Sequence, residues 1–441
     1  MAGKADREQT GFAAFSAAWR NRSAARGAWR APVATGFVSQ PDPRSLGMQV
    51  RGRQLVSGHF MMAGRLFEAA GKPLWDLASD PPFQDEAQGF AWLDDLGALG
   101  DAAARRRAQD WTWDWIARAR RGRGPGWTPD LAGRRVIRWV HHALLLLHGQ
   151  DKDRSDAFFA ALSAHVHFLS KRWPAAAPGL PRFSALTGLL YASLALTGMA
   201  DRAAPAIEAL AAECGAEIDK QGGIATRNPE ELLEVFTLLT WTVQALGEAG
   251  RAVPEALSSA VARIAPCLRT LRHADGGLAR FHGGGRGVEG RLDHALSASG
   301  IGPAPPGTVA MGFLRLSSGR TSVIVDAADP PGGRAGRLAH ASTLAFELTS
   351  GRRPLIVSCG SGVSFGAEWR QAGRATLSHS TLTLEGYSSS RMGKGNDAAL
   401  TERAHVVMAR PLTQEDGKGY FMAHDGWSRT HGLTHSRQIT L

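Results

Sequence analysis

Val309-Ala310-Met311-Gly312-Phe313-Leu314-Arg315-Leu316-Ser317-Ser318-Gly319-Arg320-Thr321-Ser322-Val323-Ile324-Val325 is the stretch at which the chain changes character. Val309, Met311 and Phe313 fall on one face of an extended segment and Leu314 and Leu316 on the other, as in a strand buried on both sides. Ser317-Ser318-Gly319 then turns the chain, and Ser322-Val323-Ile324-Val325 returns beside it. A second hairpin pairs Leu344, Phe346 and Leu348 with Leu355-Ile356-Val357 across Ser350-Gly351. Further strands are expected near 380–384, 404–409, 419–423 and 433–441, and together these read as an antiparallel β-sandwich. The last of them runs to Gln438-Ile439-Thr440-Leu441 with no turn or polar tail, so the sandwich reads as incomplete and the sequence as a piece of a longer protein.

Upstream the period is helical. Val136, Val140, Ala143, Leu144 and Leu147 recur at helical spacing, as do Leu232, Phe236, Leu239, Val243 and Leu246. Short breakers separate the helices, among them Gly124-Pro125-Gly126, Trp173-Pro174, Pro178-Gly179 and Gly222-Gly223, so six or seven helices form antiparallel hairpins. Either an α/α toroid or a solenoid stacks such pairs. The domain reading is an irregular segment at 1–80, a helical domain at 81–282, a Gly- and Pro-rich linker at 283–307, and the sandwich at 308–441.

Composition narrows the classes. The 441 residues exceed one ordinary core, while 44% apolar and 21% charged residues fit a globular protein. No run of apolar residues is long enough to span a bilayer, and residues 1–36 lack the apolar core of a secretory signal, so the expected location is cytoplasmic. Cys214, Cys267 and Cys359 have neither zinc spacing nor a disulfide framework. A net charge of +11 favours an anionic partner. No nucleic-acid-binding motif accompanies it, which excludes nucleic acid from the expectation. The sequence carries no signal of oligomeric state.

Several pieces in order resemble the heparinase II/III-like polysaccharide lyases. They are Gly124–Trp139, Gly222-Gly223-Ile224-Ala225-Thr226-Arg227-Asn228-Pro229-Glu230-Glu231, Arg272–Gly285, Ala339–Leu348, Leu355–Gly360, Trp369-Arg370 and Ala375–Leu382, spanning roughly residues 75–441. The resemblance implies an N-terminal α/α toroid followed by an antiparallel β-sandwich, a cell-envelope or periplasmic setting, and β-elimination on an acidic, uronate-containing polysaccharide. That chemistry needs the uronate carboxylate neutralised, a base for the C5 proton, and an acid for the leaving oxygen.

The resemblance assigns His340, His379, Tyr387 and Glu231 as catalytic candidates, and Arg227, Asn228, Trp369, Arg370 and Arg374 as substrate-binding candidates. Three departures stand against it. Glu231 occupies the place of the family's toroid tyrosine, Leu338-Ala339-His340-Ala341-Ser342 lacks one histidine and the following acid of His-x-His-Ala-Asp, and Ser358 replaces an aspartate. Asn228, Pro229 and Glu231 equally spell a helix start, with Asn228 as cap. His340 and His379 are the only ligands left for the family's structural zinc, so no metal and no cofactor is expected. Three functions remain open: a polysaccharide lyase, a catalytically impaired carbohydrate-binding or scaffolding relative on the same fold, and a hydrolase using Glu230 or Glu231, which would need a second carboxylate at suitable separation.

Overall fold

The computed structural model describes residues 2–69, 71–393, 399–414 and 417–441. Two compact units emerge, one of residues 1–213 with 241–257, the other of residues 214–240 with 258–441.

The first unit is built of helices whose starts are set by side chains. Asp80, Asp101 and Asp151 each accept a backbone N–H at the start of helices Pro81–Gln88, Ala102–Ala119 and Lys152–Arg172. Tryptophan fills the core between them. Phe90, Trp92, Trp111, Trp115, Trp127 and Trp139 are all buried, and the Trp115 and Trp139 rings meet edge to face at 5.4 Å. Arg135 lies fully buried among them, its guanidinium 4.0 Å from the centre of the Trp115 ring. It donates to the carbonyls of Gln88 and Gly126 and to His165 Nε2. Helices Pro129–His141 and Leu180–Ala195 cross at two glycines. A Cβ on Gly133 would stand 2.2 Å from the Ser184 carbonyl oxygen, and one on Gly188 would stand 2.5 Å from Gly133 Cα.

Residues 1–80 are not the irregular segment the sequence suggests. They form helices Ala2–Ala28 and Gln49–Ser57 and a hairpin of strands β1 (His59–Met62) and β2 (Arg65–Glu68). Arg20, Arg22, Arg26, Arg51 and Arg53, which interrupt the apolar pattern here, lie exposed on these two helices, so the periodicity understated the structure.

The second unit carries the sandwich. One sheet has five antiparallel strands, β3 (Val309–Ala310), β4 (Phe313–Ser318), β5 (Thr321–Asp326), β6 (Phe346–Ser350) and β7 (Arg353–Ile356), in sequence order. Strands β8 (Arg391–Met392) and β9 (Leu400–Glu402) form a small ribbon. The other sheet has β10 (Val406–Gln414), β11 (Gly417–Trp427) and β12 (Leu433–Thr440). Leu314, Val323, Val325, Leu344 and Met422 make the core, with Phe346, Tyr420 and Ile439 packed on it. The expected hairpins at 313–326 and 346–356 are present.

Four further expectations are corrected. The strand read through 309–316 is broken at Met311 and Gly312, both with positive φ (48° and 75°), so Val309 pairs back onto Leu314. Residues 380–384 form no strand, only an isolated bridge from Leu384 to Tyr387. The expected linker holds helix Arg291–Ala298, tied to Glu234 by Arg291. Helices Glu255–Thr270 and the start of Pro229–Glu248 belong largely with the sandwich strands rather than with the earlier helices, because polar side chains bind them there. Arg315 donates to the carbonyls of Thr270 and Arg272, for example.

The glycine crossing yields a direct test. Gly188→Val should destabilise the chain by about 1–3 kcal/mol, since the added atoms meet backbone that cannot step aside. Gly215→Ala, in a helix with open space around the new Cβ, should instead stabilise it by about 0.5–1 kcal/mol. Urea denaturation of the two variants beside the parent chain checks both signs.

Candidate functional site

The candidate residues of the second unit gather around one buried carboxylate. Asp326 ends β5 with no exposed surface. Arg227 donates to its Oδ1 at 2.5 Å and Ser342 Oγ donates to its Oδ2 at 2.6 Å. His282 Nε2 stands 3.3 Å from the same Oδ2, close enough for strong electrostatic contact although the two are not aligned as a hydrogen bond. Burial alone would raise the Asp326 carboxyl. The Arg227 guanidinium, then His282 and the Ser342 hydroxyl, outweigh burial and hold it well below the usual carboxylate range.

Arg227 is fixed from every side. Besides Asp326 it donates to the carbonyls of Met311, Gly312, Ala328 and Asp329, and its guanidinium lies 4.6 Å from the centre of the Phe313 ring. It therefore clamps the β3–β4 turn against the end of β5. Its own φ is 52°, and His282, Met311 and Leu344 share that left-handed region. These four are more than half of the seven non-glycine residues with positive φ among those described, and all four lie on or next to this network.

From His282 the network continues without a break. His282 Nδ1 accepts the backbone N–H of His340 at 3.2 Å, so its ring proton sits on Nε2, facing Asp326. His340 Nδ1 pairs with His379 Nε2 at 3.1 Å, and His379 Nδ1 with Ser358 Oγ at 3.1 Å. Three of the four ring nitrogens of the His340–His379 pair are thus engaged, and the two side chains are only 2% and 6% exposed. Burial, reinforced by the other imidazoles, pushes both rings down, His379 to about 4. Both are neutral near pH 7. A second buried carboxylate, Glu347, stands close by. It accepts from His273 Nε2 and the Arg280 backbone through Oε2, and from the Ser358 backbone through Oε1.

The remaining sequence candidates fall in three places. Asn228 Oδ1 accepts from the N–H groups of Glu230 and Glu231, which makes it a helix cap. Glu231 is half-buried, and burial raises its carboxyl. Arg374 is buried and donates to the carbonyls of Ala339 and Gly336. Trp369 is exposed beside Phe365, and Arg370 is half-buried on the same short helix, Ala367–Gly373. Tyr387 is half-exposed, meets His431 at 4.7 Å, and lines a cavity to which neither His340 nor His379 contributes. The structure therefore brings together Arg227, His340 and His379, and does not join Tyr387 to them.

Zinc, which the fold implies, does not fit this donor set. Among the described residues no three His, Cys, Asp or Glu side chains are arranged to hold a metal. The pair supplies two imidazole nitrogens, and Ser358 offers a neutral hydroxyl where a carboxylate ligand would be needed.

Sequence reasoning missed His282 and Asp326. His282 was hidden by the Gly283-Gly284-Gly285 run that reads as linker, and Asp326 by the apolar strand it ends. A carboxylate continuing Val323-Ile324-Val325 was the available signal, because a charge at the end of a buried strand needs a partner.

The family description "Heparinase II/III-like, C-terminal" matches residues 301–441. FtsZ-localized protein C of Caulobacter vibrioides is 31% identical over 431 residues, which are 93% of this chain and 72% of that protein. Among solved structures, heparinase III aligns at TM-score 0.64 with 12% identity, over 94% of this chain and 72% of its own. A mutant of the heparan sulfate lyase HepC from Pedobacter heparinus aligns at TM-score 0.54 with 17% identity, over 94% and 71%. At such identities these two structures bear on the fold alone, an α/α toroid followed by an antiparallel β-sandwich. With the family match and a relative that parallels nearly the whole chain, the sequence belongs to the heparinase II/III-like family.

Proposed function

We propose that this chain binds and scaffolds rather than cleaves, and that it works with FtsZ on the cytoplasmic side of the membrane. The observation that carries the reading is the buried series from Ser358 through His379 and His340 to His282, hydrogen-bonded in turn, with His282 in electrostatic contact with the Asp326–Arg227 pair. A lyase needs a base that can reach a substrate proton and a cation free to neutralise a uronate. Here the retained histidines are buried and hydrogen-bonded to each other, and the guanidinium of Arg227 is saturated by Asp326 and four carbonyls. The choice of partner rests on the relative named for its localisation with FtsZ, which is far closer in sequence than either lyase structure. No helix among the described residues is long and apolar enough to cross a membrane.

The competing reading is β-elimination on an acidic polysaccharide. The raised carboxyl of Glu231 favours it, since a carboxylic acid protonated nearer neutrality can serve as an acid or base.

One experiment separates the two. The purified chain is incubated with heparan sulfate, hyaluronan and polygalacturonate while ultraviolet absorbance of the unsaturated uronate is followed, and in parallel is pelleted with polymerised FtsZ. The expected result is flat absorbance on all three polymers and co-pelleting with FtsZ. Absorbance that rises with any of them, and falls away in a Glu231→Gln variant, would establish the lyase instead. Failure to pellet with FtsZ would remove the proposed partner.

If the histidines serve structure, pH should act on stability. His379 titrates near 4 in the folded chain and near 6.5 when unfolded. Between those values the unfolded chain holds the extra proton, so stability contributed by neutral His379 is complete above about pH 6.5 and lost as pH falls toward about 4. His379→Gln keeps an amide able to meet Ser358 and should remove up to about 3 kcal/mol of that dependence. Urea midpoints at about pH 7.5 and about pH 4.5 for parent and variant give the comparison. Identical pH dependence in both would mean that His379 is not a buried neutral member of the network.

A further inference from the structure

A cavity of about 530 Å³ lies within the first unit, and no residue of the Asp326 network lines it. Its wall is made by residues 43–47, the end of helix Ala91–Leu99, the start of helix Ala102–Ala119 and residues 141–148. We propose that it binds a small monocarboxylate with an apolar body, the carboxylate on Arg105 and the body against Leu46, Leu144 and Leu145. The inference goes beyond the FtsZ-associated reading and does not depend on it.

Charge selects the head group. Asp94 is the one acid of the wall, and both its oxygens are committed within the fold. His142 Nε2 donates to Oδ1 at 2.9 Å, and Arg138 Nε donates to Oδ2 at 3.0 Å. Arg105 is the one arginine or lysine of the wall. It is half-buried, and its guanidinium makes no ion pair or hydrogen bond among the described residues. A partly desolvated guanidinium without a partner favours an anion, and its planar fork matches a carboxylate through two parallel hydrogen bonds. One free guanidinium balances a single negative charge. The dianionic form of phosphate would meet no second arginine or lysine here.

The rest of the wall selects the body. Leu46 and Leu144 are 42% and 53% exposed, and with Leu145 and Ala98 they offer apolar surface that a hydrocarbon would cover. The volume falls within the range of small-molecule pockets. His141 supplies an independent sign of a ligand. Its ring forms part of the wall, is 2% exposed, and packs edge-on against Tyr191 and Trp241 at 5.3 and 4.9 Å. Neither ring nitrogen has a hydrogen-bond partner. Burial pushes the imidazole down to about 3, so it is neutral and keeps one N–H and one lone pair unmet. Buried polar groups are rarely left so, and an oxygen brought in by a ligand is the acceptor that the fold does not supply. A metal is not the occupant, although His141, His142 and His148 all line the cavity: among the described residues no three such side chains are placed to hold one.

Calorimetric titration of the full chain tests the site, with hexanoate and 3-phenylpropanoate as probes and acetate, hexan-1-ol and inorganic phosphate beside them. The expected result is that at least one of the two probes binds at one per chain, tenfold or more tighter than any of the other three. Arg105→Gln and Leu144→Ser should each weaken that binding tenfold or more. Arg106→Gln alters the next residue of the same helix, outside the cavity, and should leave binding unchanged. Both Arg105 and Leu144 reach the surface, and unchanged thermal unfolding of the variants checks that the fold persists. Binding of neither probe, hexan-1-ol or phosphate bound as tightly as the probes, or equal losses in Arg105→Gln and Arg106→Gln would each overturn the proposal.

Discussion

The second unit is organised by a charge pair that has left water. Arg227 and Asp326 together are stable where neither would be alone, since removing one partner of a buried pair costs about 3–5 kcal/mol. Everything near them follows from keeping both satisfied. Four backbone carbonyls turn toward Arg227, and two of these belong to the tight turn that makes β3 and β4 a hairpin. The left-handed backbone at Arg227, His282 and Met311 is the local cost of that convergence, tolerated because the network over-determines it.

The same constraint sets how the histidines are bonded and protonated. A neutral imidazole has one donor and one acceptor, so once His282 accepts from the His340 backbone its remaining proton must face Asp326. His340 and His379 extend the pattern to Ser358, and every added member deepens the burial that keeps the rings uncharged. A carboxylate at position 358 would pull the pair toward a charged or metal-bound state. The serine hydroxyl, which both donates and accepts, lets the pair close on itself.

Much of this fold is legible in the sequence because its signals are local. The Ser317–Gly319 and Ser350–Gly351 turns and the continuous apolar runs of β4 and β5 each need only a few neighbouring residues. What was hidden is non-local. Asp326 and Arg227 are 99 positions apart, and His282 lies between a helix and a glycine run whose composition says nothing of its partner. Met311 shows the limit in miniature. Its apolar side chain fits a continuous strand, and only the demand of Arg227 for its carbonyl oxygen reveals why the chain turns there. The resemblance pointed to His340 and His379, which lie in the second unit, but whether they meet a substrate or each other is a question of burial that spacing does not carry.

On the scaffolding reading, retention of the fold with altered chemistry follows from how the demands divide. Asp326, Arg227 and His282 hold strand, turn and loop together, so their replacement would be felt by every bond they make. Ser358 and Glu231 sit at the ends of the arrangement, where a change of chemistry disturbs few others: Ser358 meets His379 and Glu347, and Glu231 stands in the first turn of a helix already capped by Asn228. Substitution at such terminal positions removes a base or a ligand while leaving the interior network intact. On the scaffolding reading, cleavage is lost by small steps at such positions while the bonds among Arg227, Asp326 and Ser342 persist.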